Sequence, residues 1–164
     1  MKSIIIYSTR YGSTTKVAER IQNELDGDCM LVNIMTESVP PLDAFDMVIL
    51  GGSIYIGKVQ KELTAFVGKN LNLLLSKKIG LFLCAGATKQ EERDRELKVA
   101  FSPELLTHAA AKDVLGYAFT FERMRFFDRL IMKKIKGVQK MKISMYLAIT
   151  ILSYSYSLVQ FIRG

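Results

Sequence analysis

Residues 2–14 read KSIIIYSTRYGST, and this stretch decides how the rest of the chain is organised. Its first part, residues 2–8, is a short apolar run of the kind that forms a strand buried on both faces. A hydroxyl-rich turn follows at residues 9–14, and apolar residues then recur at the spacing of one helix face: Val17, Ala18, Ile21 and Leu25. A strand, a tight turn and a helix in this order point several backbone N–H groups at one place. Such a place binds an anion.

The composition of the turn indicates which anion it binds. A dinucleotide-binding loop uses three glycines so that a pyrophosphate can touch bare backbone, and this loop has only Gly12. It carries hydroxyl groups instead, on Thr9, Tyr11, Ser13 and Thr14. Hydroxyl donors around a helix N-terminus suit a terminal monophosphate with several acceptor oxygens. The alternative is that Ser13 is an ordinary helix N-cap and that the loop binds nothing.

Residues 8–14 resemble the phosphate-binding loop of flavodoxins, and the likeness continues along most of the chain. The resemblance implies a flavodoxin-like fold, and it implies that the cofactor is FMN. It also assigns the residues that hold the FMN phosphate, which are Thr9, Tyr11, Gly12, Ser13 and Thr14, and it includes Arg10 of the same loop in the cofactor site.

The pattern of the remaining chain predicts an α/β fold from the residues themselves. Further strands are predicted at residues 29–35, 46–52, 78–85 and 113–121. Helices are predicted at residues 58–75 and from residue 91 through Ala111, with a break at residues 102–103. Strands that alternate with helices predict a doubly wound, five-stranded parallel sheet with helices on both faces, in one domain at residues 1–164. In such a sheet the ligand lies at the carboxyl ends of the strands, near the switch point between the first and the third.

Two further loops are predicted to reach this position. The loop after the third strand resembles the flavodoxin loop that flanks the flavin ring, which assigns Ser53, Ile54, Tyr55, Ile56 and Gly57 to the cofactor. There Tyr55 or Ile56 would pack on the ring, and the Gly57 peptide would rotate to accept the hydrogen of flavin N5. The loop after the fourth strand has small residues that let the backbone approach the pyrimidine edge of the flavin: Ala85, Gly86 and Ala87. The alternative for Gly86 is that it merely ends the strand.

A nucleoside triphosphate site is the competing interpretation of the second loop. Residues 52–58 match the first part of a P-loop motif, but Val59 stands where that motif needs Ser or Thr to bind magnesium. Bulky side chains at residues 54–56 would also crowd a phosphate cradle. The flavin interpretation is therefore favoured.

The cysteines and the histidine offer no further chemistry. Cys29 and Cys84 lie on separate predicted strands without metal-ligand spacing, which predicts two inert core thiols, no metal site and a reducing cytoplasm. His108 is predicted to be a surface residue without a catalytic role, so the sequence identifies no acid–base residue. A chain of 164 residues that is 49% apolar is long enough for one folded domain and is not disordered.

The net charge of +7 is concentrated in residues 122–142, which we call the basic segment. It contains eight basic and two acidic residues and so accounts for +6 of that charge. The segment resembles an insertion in the menaquinone-dependent protoporphyrinogen oxidases, in which an aromatic residue also precedes Asp-Arg, as Phe127 does here. The resemblance implies a porphyrinogen substrate and a quinone acceptor. The side chains expected to contact a substrate or a membrane are Arg123, Arg125, Arg129 and Lys133.

Three interpretations of the basic segment remain open. It is a helix packed on the domain with a solvated basic face, an interfacial helix that meets anionic lipid, or a receptor for an acidic small-molecule substrate such as a porphyrinogen with two propionates. A nucleic-acid partner is not expected, because nothing else in the chain resembles a binding module. The chain is expected in the cytoplasm, with the inner face of the cell membrane as a peripheral contact.

The carboxyl end departs from the resembled family. Residues 143–162 contain no charged side chain and are long enough to span a bilayer. Six polar side chains make this stretch a poor span: Ser144, Thr150, Ser153, Ser155, Ser157 and Gln160. Because the doubly wound sheet still lacks a helix after its fifth strand, a packed closing helix is favoured.

Two functions of different classes follow. One is an FMN-dependent oxidoreductase that resembles protoporphyrinogen oxidase and passes electrons to a quinone. The alternative is a flavodoxin-type electron carrier that serves partner enzymes. Electron-carrier flavodoxins are typically acidic around the flavin, whereas this chain has Lys58 there and a net charge of +7, which favours the enzyme.

Overall fold

The computed structural model of the chain describes residues 1–10, 12–55, 57–87 and 89–115, except for the side chain of Ser13. Five strands run at Ser3–Ser8 (β1), Cys29–Asn33 (β2), Met47–Ser53 (β3), Lys78–Cys84 (β4) and Ala111–Leu115 (β5). Four α-helices run at Ser13–Glu24 (α1), Lys61–Leu74 (α2), Gln90–Ala100 (α3) and Pro103–His108 (α4).

All five strands are parallel and form one sheet in the order β2-β1-β3-β4-β5. The predicted doubly wound α/β sheet is therefore confirmed. From β1 the chain adds β2 on one side and then returns to add β3, β4 and β5 on the other side. The order of strands therefore changes direction between β1 and β3, where Ser8 lies opposite Gly52. This is the switch point at which doubly wound sheets bind their ligands.

The central strands bury side chains on both faces of the sheet. On β1, Ile4 and Ile6 belong to one apolar cluster, and Ile5 belongs to the other, because successive side chains on a strand point to opposite faces. The first cluster includes residues of α2, α3 and α4, and the second includes residues of α1. Helices therefore cover both faces, as predicted.

Helix α3 is fastened to β5 by a partly buried ion pair. Arg93 Nη2 lies 2.5 Å from Asp113 Oδ1 and donates a hydrogen bond to the Val114 carbonyl at 2.6 Å. Burial raises the pKa of the Asp113 carboxyl, and the Arg93 charge offsets part of the rise. Because α3 follows the loop after β4, this attachment fixes where that loop ends.

Several predicted boundaries are wrong: β2 ends two residues early, at Asn33, and β5 begins two residues early, at Ala111. Helix α2 begins at Lys61 rather than at Lys58, because Lys58 pairs its backbone with Tyr55 in a tight turn. Helix α4 ends at His108 rather than at Ala111, which belongs to β5. Alanine favours helix, but the Ala110 N–H donates to the Ile79 carbonyl at 2.8 Å and so joins the sheet edge, a case of tertiary context overriding local propensity.

Other predictions lie outside the described residues. They include the part of the fifth strand beyond Leu115, the basic segment, the closing helix at residues 143–162 and the extent of the domain. Among the helices that the structure describes, none is long and apolar enough to cross a membrane.

Gly51 makes room for the largest side chain of the core, the fully buried Phe82. A Cβ atom at Gly51 would lie 2.0 Å from Phe82 Cζ. We therefore expect Gly51→Ala to lower the free energy of unfolding by about 1–3 kcal/mol, the usual cost of overpacking a core. Urea-induced unfolding measures this change.

The matched control is Gly68→Ala in the interior of α2, where a Cβ would meet no atom within 4 Å. Because glycine in a helix costs about 0.5–1 kcal/mol relative to alanine, this variant should be more stable than the wild type. Equal stability of Gly51→Ala and the wild type would contradict the packing argument.

Candidate functional site

Three loops leave the same edge of the sheet, because parallel strands β1, β3 and β4 end there together. The first loop follows Ser8, the second follows Ser53 and the third follows Cys84. The second and third loops are joined directly, since the Ile54 N–H donates to the Cys84 carbonyl at 3.0 Å. The predicted convergence of these loops is therefore observed in their described parts.

The first loop holds a helix N-terminus open toward this edge. The Gly12 N–H donates to Thr9 Oγ1 at 3.1 Å, which closes the turn, and Gly12 has a φ of +82°, a conformation that glycine adopts without strain. The first turn of α1 contains no acidic residue, and no described side chain caps it. The first backbone N–H groups of a helix have no partner within the helix, so these donors are available to an anion.

Thr14 places a hydroxyl group behind the first loop. Its side chain is fully buried, and Oγ1 makes no hydrogen bond of standard geometry among the described residues, although it lies beside the Cys84 thiol. A buried hydroxyl without a good acceptor costs free energy, so an acceptor oxygen of a ligand at this position would recover that cost. Burial raises the pKa of Cys84 to about 12, an effect that the Thr14 hydroxyl partly offsets.

The second loop is a tight turn. Tyr55 and Lys58 exchange backbone hydrogen bonds of 2.8 and 3.2 Å, and Gly57 has a φ of +71° in the exposed part of the turn. Tyr55 is half-buried, which leaves part of its side chain available for contact, and Lys58 is exposed.

The third loop is short and lined by small residues. Ala85 is buried, Ala87 is half-buried and Gly86 is exposed. The Ala85 N–H donates to the Leu115 carbonyl at 2.9 Å, so the start of the loop is fixed to the sheet.

Gln60 is a site residue that sequence reasoning missed. Its side chain accepts from Ser8 Oγ at 2.8 Å and donates to Ser53 Oγ at 3.0 Å, and so joins the ends of β1 and β3. Glutamine is an ordinary helix former, and Gln60 lay inside the predicted helix at residues 58–75. No sequence signal distinguished it from a solvent-exposed helix residue.

The remaining predicted residues divide into two groups. Arg10 is exposed on the first loop, close enough in sequence to add a positive charge there. Tyr11, Ile56, Arg123, Arg125, Arg129, Lys133 and the side chain of Ser13 lie outside the described residues.

His108 and Cys84 lie where the sequence predicted them, at the surface and in the core, respectively. His108 is exposed and contacts the Lys77 carbonyl through Nε2 at 2.8 Å, at the opposite edge of the sheet from the three loops. Cys84 is buried, but Cys29 is only half-buried, so its assignment to the core was wrong. Burial, together with the charge of Asp28, still raises the pKa of Cys29 to about 11. Within the described ranges, no three His, Cys, Asp or Glu side chains are grouped to hold a metal ion.

A protein-family model and a curated protein are both similar to this chain in sequence. The family model described as "Flavodoxin domain" matches residues 4–144. Protoporphyrinogen IX dehydrogenase (quinone) of Escherichia coli strain K12 is 24% identical over 142 residues, which cover 82% of this chain and 78% of that protein.

Two solved structures are similar in fold. Oxidised flavodoxin 2 from Bacillus cereus has a TM-score of 0.60 at 17% identity, covering 98% of this chain and 99% of that chain. The Fusobacterium nucleatum flavodoxin bound to flavin mononucleotide has a TM-score of 0.50 at 20% identity, covering 73% of this chain and 72% of that chain.

The buried Cys84 thiol predicts how stability depends on alkaline pH. Its pKa is about 12 in the folded chain and about 9 when exposed, so its contribution to stability is complete below pH 9 and is lost as the pH rises towards 12. Between pH 7.5 and pH 10.5, the wild type should lose about 2 kcal/mol more unfolding free energy than Cys84→Ala. Urea-induced unfolding of both proteins at the two pH values measures the difference, and parallel losses would contradict the assignment.

Proposed function

The chain belongs to the flavodoxin domain family, and from this premise we propose that it is an FMN-dependent oxidoreductase. Its cofactor is FMN, which the family and the single-phosphate chemistry of the first loop both indicate. The observation that carries the proposal is the open helix N-terminus at the β1/β3 switch point, with the buried Thr14 hydroxyl behind it.

The described residues suit the phosphate of FMN. Thr9 and Thr14 supply hydroxyl groups, and the start of α1 supplies backbone N–H donors that follow Gly12. Since Thr9 Oγ1 already accepts from the Gly12 N–H, its own hydrogen remains to be donated. Hydrogen bonds to a charged acceptor contribute about 1.5–3 kcal/mol each, so a few such donors suffice to hold a dianion.

The second and third loops suit the flavin ring. Tyr55 offers an aromatic surface on one side, and the small residues at 85–87 leave the backbone accessible on the other. When bound, FMN supplies the redox chemistry, and the protein supplies position and electrostatics. The positive φ of Gly57 leaves the turn free to rotate a peptide toward the ring, which a residue with a Cβ would resist.

A more specific proposal concerns the substrate and the electron acceptor. The E. coli relative is named as a protoporphyrinogen IX dehydrogenase that uses a quinone, and we propose the same pair for this chain. The net charge of the basic segment supports an acidic substrate, because propionates or anionic lipid would be attracted to Arg123, Arg125, Arg129 and Lys133. The second candidate is an electron carrier that serves partner enzymes, which the similarity to flavodoxin structures favours.

The first prediction of this proposal concerns cofactor binding. The purified protein should bind FMN and be yellow, and Thr14→Val should weaken FMN binding by about 1–3 kcal/mol, because an acceptor oxygen of the phosphate loses its donor. Valine keeps the shape of the buried side chain, so the fold should be retained. Fluorescence titration with FMN and circular dichroism measure the two effects.

Thr15→Val is the matched control for Thr14→Val, because Thr15 lies in the same turn of α1 but is half-exposed. Its affinity for FMN should stay close to that of the wild type. A wild-type protein that binds no flavin would contradict the proposed function, and an unchanged affinity in Thr14→Val would place the phosphate elsewhere.

The second prediction separates the enzyme from the electron carrier. Protoporphyrinogen oxidation with a quinone acceptor should be measurable with the purified holoprotein. Changing Arg123, Arg125, Arg129 and Lys133 together to Gln should lower this activity without releasing FMN, because the phosphate and ring contacts lie in other loops. Raising the salt concentration should have the same effect, since exposed charges are screened beyond about 8 Å at physiological ionic strength.

Lys61, Lys69, Lys98 and Lys112 provide a matched control, because they are exposed basic residues of the described part. Their combined change to Gln should leave activity and its dependence on salt unaltered. Absence of quinone-linked activity, together with electron transfer to a partner reductase, would support the carrier instead.

A further inference from the structure

A chain of side-chain hydrogen bonds crosses the switch point of the sheet. The Ser8 hydroxyl donates to Gln60 Oε1 at 2.8 Å, and Gln60 Nε2 donates to Ser53 Oγ at 3.0 Å. Ser8 ends β1 and Ser53 ends β3, so one amide links the stem of the first loop to the stem of the second. Gln60 precedes α2 with extended backbone angles, and its side chain does not cap that helix.

Burial determines the direction of this chain of hydrogen bonds. Ser8 is fully buried, so its hydroxyl hydrogen needs an acceptor within the protein, and only the oxygen of the Gln60 amide can provide one in this contact. The amide nitrogen must then face Ser53 and donate to it. Ser53 is half-buried and accepts the hydrogen bond from Gln60. Its own hydroxyl hydrogen can therefore be donated to a further acceptor.

The close approach of these groups depends on Gly52. A Cβ atom at this position would lie 2.6 Å from Val59 Cγ2 and 3.4 Å from Ser8 Oγ. The absence of a side chain lets the segment that carries Gln60 lie directly against the ends of the two strands. The backbone therefore leaves Gln60 within reach of both serines.

We propose that Gln60 is a positioning residue that sets Ser53 as a hydrogen-bond donor to the phosphate of FMN. This inference rests on the proposed function. Because Gln60 links Ser53 to Ser8, the residue from which the first loop departs, Ser53 lies at the same edge of the sheet as the loop that we propose holds the phosphate. A donor that itself accepts a hydrogen bond is polarised, which strengthens the bond it gives to a charged acceptor.

Three substitutions test this role. Gln60→Met keeps the length of the side chain and removes both hydrogen bonds. Gln60→Glu still accepts from Ser8 but cannot donate, so the Ser53 hydroxyl turns back to donate to the carboxylate and is withdrawn from the cofactor. Ser53→Ala removes the donor itself and is also combined with Gln60→Met.

The measurement is the affinity of each variant for FMN and for riboflavin, which lacks the phosphate, by fluorescence titration. We expect Gln60→Met and Gln60→Glu to lose about tenfold in affinity for FMN, the effect of one hydrogen bond to a charged group, with riboflavin affinity changed less than about twofold. Ser53→Ala should lower FMN affinity in the wild-type background and have little further effect in Gln60→Met, because the two residues act on one contact.

Gln22→Met is the matched control. Gln22 is a half-buried glutamine whose Nε2 donates to the Cys29 carbonyl at 2.6 Å, at the amino end of β2 and far from the three loops. It should lower thermal stability without changing the preference for FMN over riboflavin. If Gln60→Met does not fold, Gln60→Glu carries the test in combination with Ser53→Ala, because repulsion between its carboxylate and the phosphate would persist without Ser53, whereas an effect that acts through Ser53 would not.

The outcomes are distinguishable. Gln60 variants that lose FMN and riboflavin affinity equally, that keep full FMN affinity, or whose effect adds fully to that of Ser53→Ala would overturn the positioning role and leave the proposed function intact. A wild-type protein that binds neither flavin would overturn both.

Discussion

The burial of β1 and β3 on both faces is the constraint from which the rest of the structure follows. The side chains of Ile4, Ile5 and Ile6 are all completely shielded from solvent, although they alternate between the two faces of the sheet. Helices must therefore cover both faces, and the chain must travel first to one side of β1 and then to the other. In doubly wound sheets the two connections diverge at the ends of such strands, and the ligand binds in the crevice between them.

Two buried hydroxyl groups near this edge of the sheet, those of Ser8 and Thr14, differ in whether the protein supplies a hydrogen-bond partner. Ser8 is fully buried and donates to Gln60, so its hydroxyl is satisfied by the protein itself. Thr14 is equally buried, but among the described residues its hydroxyl has the weakly accepting Cys84 thiol beside it and no hydrogen-bond partner of standard geometry. An unsatisfied hydroxyl of this kind costs about 1–3 kcal/mol, which a phosphate oxygen would recover on binding. The contrast is between a hydroxyl group that the protein satisfies, that of Ser8, and one that we propose a phosphate satisfies, that of Thr14.

The sequence predicted much of this arrangement because its signals are local. Strands β1 to β4 are mainly apolar runs, and the turn after β1 carries its hydroxyl groups and its glycine within six residues. The end of α4 was missed because backbone pairing with a distant residue decides it, as between Ala110 and Ile79. The start of α2 was missed because the tight turn of Tyr55 and Lys58 delays the helix, and the helical spacing of apolar residues does not reveal that turn. Gln60 was missed for a similar reason, since its two serine partners lie 52 and 7 residues away and meet only when β1 and β3 pair.

The distribution of charge along the chain bears on the kind of interaction that would hold the cofactor and the kind that would attract a partner. Residues 1–115 carry equal numbers of acidic and basic side chains, so the whole net charge of +7 lies on residues 116–164. Within the described loops, a phosphate would be held mainly by hydroxyl groups and backbone dipoles, with Arg10 and Lys58 exposed around it. Short hydrogen bonds in a partly buried site are weakly screened by salt, whereas attraction to an exposed cluster of like charges is strongly screened. Under the proposed function, cofactor retention and partner attraction are therefore governed by separate forces in one chain, and a change in ionic strength should act chiefly on the second.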